Sequence, residues 1–125
     1  MAWTTTNRGV VWQPPTDVYE TADEFVVRVE VGGIDPDKVD ISLVERVLTI
    51  SGLRQDPASK VGYHRMEIFY GPFQTRAVLP RRVDPARITA EYRDGFLTVV
   101  VPKANAIHVR VENANGSAGD SSSSK

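Results

Sequence analysis

From Val18 to Val101 the apolar residues recur with a period of two, and no stretch carries the stripe of an amphipathic helix. A chain patterned this way is confined to strands. Phe25, Val27, Val29 and Val31 alternate with Val26, Arg28 and Glu30 until Gly32-Gly33 breaks the run and Asp35-Pro36-Asp37 turns it. Val39, Ile41 and Leu43 make the next face, and Glu45-Arg46 turns the chain tightly into the β-branched run Val47 to Arg54. A polar loop, Gln55 to Gly62, precedes a shorter run from Tyr63 to Phe69, which Gly71-Pro72 ends before Phe73 to Leu79. Ile88, Ala90 and Tyr92 alternate with Thr89 and Glu91, and Asp94-Gly95 is a type I′ hairpin signal leading into Phe96 to Val101. About eight or nine short strands at this spacing predict an all-β sandwich of two antiparallel sheets. Within it the run LTVVV reads as a strand covered on both faces.

The ends differ in kind from this middle. Residues 1–17 hold both tryptophans, Trp3 and Trp12, among polar residues and prolines, and read as a short flexible arm. The domain proper is expected over 18–103, closed by a Pro102-Lys103 stop. Residues 104–125 form an extension in which Ile107, Val109 and Val111 alternate with polar residues before the Ser-rich, disordered tail from Asn113 to Lys125. At 125 residues, 41% apolar and 25% charged, the chain is one domain's worth that can bury a core unaided.

The inventory for chemistry is thin. There is no cysteine, so disulfides, thiolate catalysis and cysteine-based zinc sites are excluded, and the two histidines, His64 and His108, show no metal-ligand spacing. No nucleophile elbow, phosphate loop or dinucleotide fingerprint occurs. No enzyme activity and no cofactor or metal are expected. A net charge of −1 with scattered basic residues gives no footprint for nucleic acid or acidic lipid, and no apolar run approaches the ~20 residues of a membrane helix. The expected location is the cytoplasm, and binding through sheet edges and apolar grooves is what remains.

Four segments carry a resemblance: PPTDVYETADEFVVRVEVGG, LTISGLR, YHRMEIFYGPFQTRAVLP and ITAEYRDGFLTVVVPK, with A-x-x-x-x-G-x-L-x-V-x-V-P-K from Ala90 to Lys103 the most specific. In this order the chain resembles the small heat-shock proteins over roughly residues 14–103, the part that forms their α-crystallin domain. The resemblance implies an immunoglobulin-like sandwich and an ATP-independent chaperone, a holdase that keeps partly unfolded client proteins from aggregating under stress. It implies that the segment after the polar loop is a strand given to a second copy, with Tyr63, Arg65 and Glu67 in that homodimer interface. It also implies that Ile107, Val109 and Val111 dock into a groove between two strands, lined by Val39, Ile41, Leu43, Ile88, Ala90 and Tyr92. The arm, through Val10, Val11 and Trp12, is the expected client-binding surface, with packing of Trp3 and Trp12 onto the domain's own sheet as the alternative. From Val101 to Ile107 is six residues, a reach of at most about 20 Å, so docking must be onto something close, which favours dimers and small assemblies. The competing reading is an adaptor or co-chaperone with a related sandwich and no holdase activity of its own. Such proteins lack both the exchange strand and the terminal motif.

Overall fold

The computed structural model describes residues 10–103 together with Val111, Asn113 and Ala114. Seven strands are present among the described residues: β1 (Thr16–Glu20), β2 (Glu24–Glu30), β3 (Asp40–Val44), β4 (Val47–Arg54), β5 (Gly71–Val78), β6 (Thr89–Arg93) and β7 (Phe96–Pro102). They form two antiparallel sheets, one ordered β1-β2-β7-β6 and the other β3-β4-β5. The predicted sandwich is therefore observed, and its turns follow the local chemistry. Asp94 and Gly95 both take positive φ, 55° and 82°, which lets β6 and β7 pair directly from Arg93 opposite Phe96. Asp35 and Asp84 each cap a one-turn 3-10 helix by accepting the backbone N–H two residues on.

The inward positions interdigitate as the alternation requires. Val27, Val29 and Val31 from the β2 side, Leu97, Val99 and Val101 of β7, Leu48 and Ile50 of β4, and Phe73 and Ala77 of β5 make one continuous core. On β7 only Leu97, Val99 and Val101 are buried, while Thr98 and Val100 on the opposite face are half-buried. The expectation of a strand covered on both faces is thus corrected: β7 is flanked by β2 and β6, but just one of its faces meets the other sheet.

The sandwich begins earlier than the alternation suggested. Trp12 is 9% exposed and belongs to the core, bridging in parallel to Phe73, and Pro14 is fully buried. Trp12 N–H donates to the Pro72 carbonyl at 3.1 Å, and Gln74 N–H to the Trp12 carbonyl at 2.9 Å. The chain then passes from the edge of β5 to β1, with the Thr16 and Thr75 hydroxyls 2.9 Å apart. One side of the sandwich is closed by this strap of residues 10–15. The assignment of Trp12 to an exposed client-binding arm is corrected: a large indole with a groove beside Phe73 removes more apolar area from water by turning inward.

At the other end of the domain, the Pro102-Lys103 stop has a visible cause. Lys103 N–H donates to the Asp23 carbonyl at 2.8 Å, and its Nζ bonds the Glu20 carboxylate and the Thr21 carbonyl, both at 2.7 Å. The hydrogen bond from Lys103 and its charge hold the Glu20 carboxyl below the ordinary carboxylate range. A carboxylate held low in the folded state contributes stability above its unfolded pKa and loses it as pH falls through the folded value. Wild type is therefore expected to be more stable than Glu20→Gln at neutral pH, with the difference lost as pH falls through the folded-state pKa of Glu20, as followed by thermal melts. The effect should be small, since the pair lies at the surface and is screened by salt.

Candidate interaction surfaces

Opposite the strap, the sandwich is open among the described residues. β3 is an edge of one sheet and β6 an edge of the other, so a groove runs between them with its floor on the buried Leu48. Ile41 and Leu43 of β3 form one wall, Ile88 and Ala90 the other, and Pro85 closes one end around a cavity of about 220 Å3. Among the described residues no charged side chain lines it. Four of the six residues expected there are brought together. Val39 and Tyr92 are not among its lining residues; the Tyr92 hydroxyl instead donates to the Val31 carbonyl at 2.9 Å. Leu48 and Pro85 were not foreseen, although Leu48 directly faces Leu43 across the β3–β4 ladder. Of the docking motif, Ile107 and Val109 lie outside the described residues, and Val111 is exposed.

The second surface is the loop 55–70. The strand expected from Tyr63 to Phe69 is not formed: none of these residues enters a ladder. Alternation marks which side chains share a face, but a strand also needs an edge to bond to: β4 is flanked by β3 and β5, and the outer edge of β5 is met at Pro72 and Gln74 by Trp12 of the strap. Asp56 organises the first half, accepting from Ala58 N–H at 3.2 Å and the Tyr63 hydroxyl at 3.1 Å and pairing with Lys60. The Lys60 hydrogen bond is the main reason that the Asp56 carboxyl is held below its ordinary range, and Asp56 in turn raises Lys60. Arg65 and Glu67 lie 3.7 Å apart in an exposed pair. Val61, Tyr63, Ile68 and Phe69 are all exposed on this loop, as are Val18 and Tyr19 on β1. Among the described residues β1 ladders only with β2, leaving its outer edge open.

The loop is rooted at a cluster that the sequence did not announce. Arg54, the last residue of β4, donates from Nε and Nη2 to the Phe69 carbonyl at 3.0 and 2.7 Å and from Nη1 to the Gly32 carbonyl at 3.2 Å. Its guanidinium lies 4.5 Å from the centre of the Trp12 ring, and Trp12 stacks on Phe69 at 5.6 Å and 18°. The Trp12 Nε1–H donates to the Gly71 carbonyl at 3.2 Å. Among the described residues no group of three or more His, Cys, Asp or Glu could hold a metal ion, and no helix is long and apolar enough to cross a membrane.

Comparison with known proteins agrees with this architecture. A profile of the Hsp20/alpha crystallin family matches residues 17–113. Small heat shock protein C4 of Rickettsia felis is 34% identical over 95 residues, 74% of this chain and 58% of that protein. The chain spans about 60% of the length of such relatives. Among solved structures, a small heat-shock protein from Xylella fastidiosa, described as having a distinct high order structure, superposes with a TM-score of 0.70 at 32% identity, over 82% of this chain and 95% of that one. The hspA protein of Xanthomonas axonopodis gives 0.69 at 33%, over 75% and 96%.

Proposed function

The chain belongs to the Hsp20/alpha crystallin family, and from that premise we propose that it is an ATP-independent holdase that binds partly unfolded proteins and keeps them from aggregating. No catalytic step, metal or cofactor enters this reading. The observation that carries it is the open groove between β3 and β6, apolar, free of charge and accessible at its Ala90 wall. An uncharged groove of this size accepts aliphatic side chains without regard to sequence, which is what capture of diverse unfolded chains requires. Val10 and Val11, about half exposed beside the buried Trp12, extend the client-binding surface on the arm. The working place is the cytoplasm.

The same groove is the proposed seat of Ile107, Val109 and Val111. Burying two aliphatic side chains there is worth roughly 3 to 6 kcal/mol before association costs, enough for a reversible contact. Client and motif would then compete, which regulates capture. We further assign loop 55–70 to exchange between two copies, its Tyr63–Phe69 segment pairing with the open edge of the other copy's β1. Both surfaces hold exposed apolar residues that this pairing would cover.

Light scattering of a heated model client, without ATP, tests the holdase directly: several-fold excess of this protein is expected to suppress the rise, and an unchanged trace would sink the reading. Native mass spectrometry of wild type beside an Ile107→Ala/Val109→Ala/Val111→Ala variant tests the motif. The variant is expected to lose every species above the dimer, and unchanged assemblies would show that the motif does not join dimers.

A further inference from the structure

Loop 55–70 and the strap 10–15 are remote in sequence, yet they share one set of contacts. Arg54 and Gly71 face each other in the β4–β5 ladder, so the loop leaves and re-enters the sheet at a single point. At that point the Arg54 guanidinium covers the Trp12 indole and holds the Phe69 carbonyl twice, while Phe69 itself stacks on the other residue of the pair, Trp12. The strap's remaining hold on β5 is two backbone hydrogen bonds at Pro72 and Gln74, the indole bond to Gly71 and the packing of Trp12 against Phe73. Val10 and Val11 are only about half covered.

We propose that the Trp12–Arg54–Phe69 stack is a coupling joint, in which seating of the strap on β5 and ordering of the loop's foot stabilise each other. Arg54 is the positioning residue. Its planar fork bonds the Phe69 carbonyl while its face lies on Trp12, so neither partner can move without breaking contacts that order the other. Coupling of this kind is reciprocal. Whatever draws Trp12 from its seat loosens the loop, and a loop that leaves to meet a second copy withdraws Phe69 from Trp12 and frees the β5 edge. That functional consequence rests on the strand-exchange reading given above; the coupling itself does not.

Hydrogen exchange of the full-length chain, read by mass spectrometry at peptide or residue level, tests the joint. The reporter is the Gln74 amide, bonded to the Trp12 carbonyl, with the β7 amides as the measure of global stability. Removing one aromatic contact with Phe69→Ala is expected to speed exchange at Gln74 roughly tenfold and leave β7 unchanged. Arg54→Met, which keeps the stem but removes the fork, is expected to speed exchange both at Gln74 and across residues 55–70. Arg54→Lys should not restore protection, because an ammonium neither stacks nor bonds in a fork. Unaltered exchange at Gln74 in Phe69→Ala overturns the joint, as does an increase matched by β7, which would mean general loosening. These readouts need no dimer, so a failure of strand exchange leaves them intact and is seen separately in the oligomeric state.

Discussion

Gly52→Val is expected to lower the unfolding free energy by about 3 kcal/mol, at the upper end of what forcing extra methyl groups into a packed core costs. Gly52 lies in β4 directly opposite Phe73 of β5. A Cβ at this position would stand 2.6 Å from Cζ and 2.9 Å from Cε2 of the Phe73 ring, inside any real contact. The ring has nowhere to retreat, being 1% exposed and tilted against Trp12 at 5.7 Å. Urea unfolding measures the loss, and a second substitution gives its cause. Phe73→Leu removes the ring atoms that clash, so the Gly52→Val/Phe73→Leu double variant should be more stable than the sum of the two single losses by about 1 kcal/mol or more. Strictly additive losses would show that Gly52 serves something other than the passage of that ring.

Gly52 also marks a limit of what the residues announce. The run Val47 to Arg54 is legible as a strand because its β-branched residues say so, but that a glycine inside it faces a phenylalanine depends on the register between β4 and β5, fixed by a sixteen-residue loop with no local signal. Where the determinant is local, reading succeeds: Asp94-Gly95 supplies both positive φ values that its hairpin needs. Trp12 stood between two readings, client capture and packing on its own sheet, for the opposite reason. It joins β5 by a single bridge, and one residue has no periodicity to detect. The groove was readable in part through the resemblance, and alternation then places Ile41 with Leu43 and Ile88 with Ala90 on its two walls. Tyr92 departs from the groove because its hydroxyl reaches the Val31 carbonyl near the hairpin, a tertiary bond that no pattern along β6 encodes. Arg54 carried no signal at all, for its partners Trp12, Gly32 and Phe69 come from three separate stretches of chain.

A proline at position 64 or 65 is expected to break self-association, and the comparison between the two positions distinguishes a laddered strand from a loop that merely touches. If Tyr63–Phe69 pairs with the edge of a second copy's β1, successive N–H groups point to opposite sides, so only one of His64 and Arg65 donates to that edge. Proline deletes the donor at its own position. In a symmetric dimer the loss occurs twice, each leaving an acceptor unsatisfied at about 1.5 kcal/mol, which together weaken the dimer about a hundredfold. The other proline, with its missing N–H facing solvent, should leave association within a few-fold of wild type. His64 and Arg65 are both exposed and outside any ladder in the single chain, so the fold of the monomer should survive either change, which circular dichroism checks. Sedimentation across a concentration series then decides: one weakened dimer of the two supports exchange, two unchanged dimers sink it, and two equally weakened dimers mean that the loop contacts its neighbour without entering its sheet.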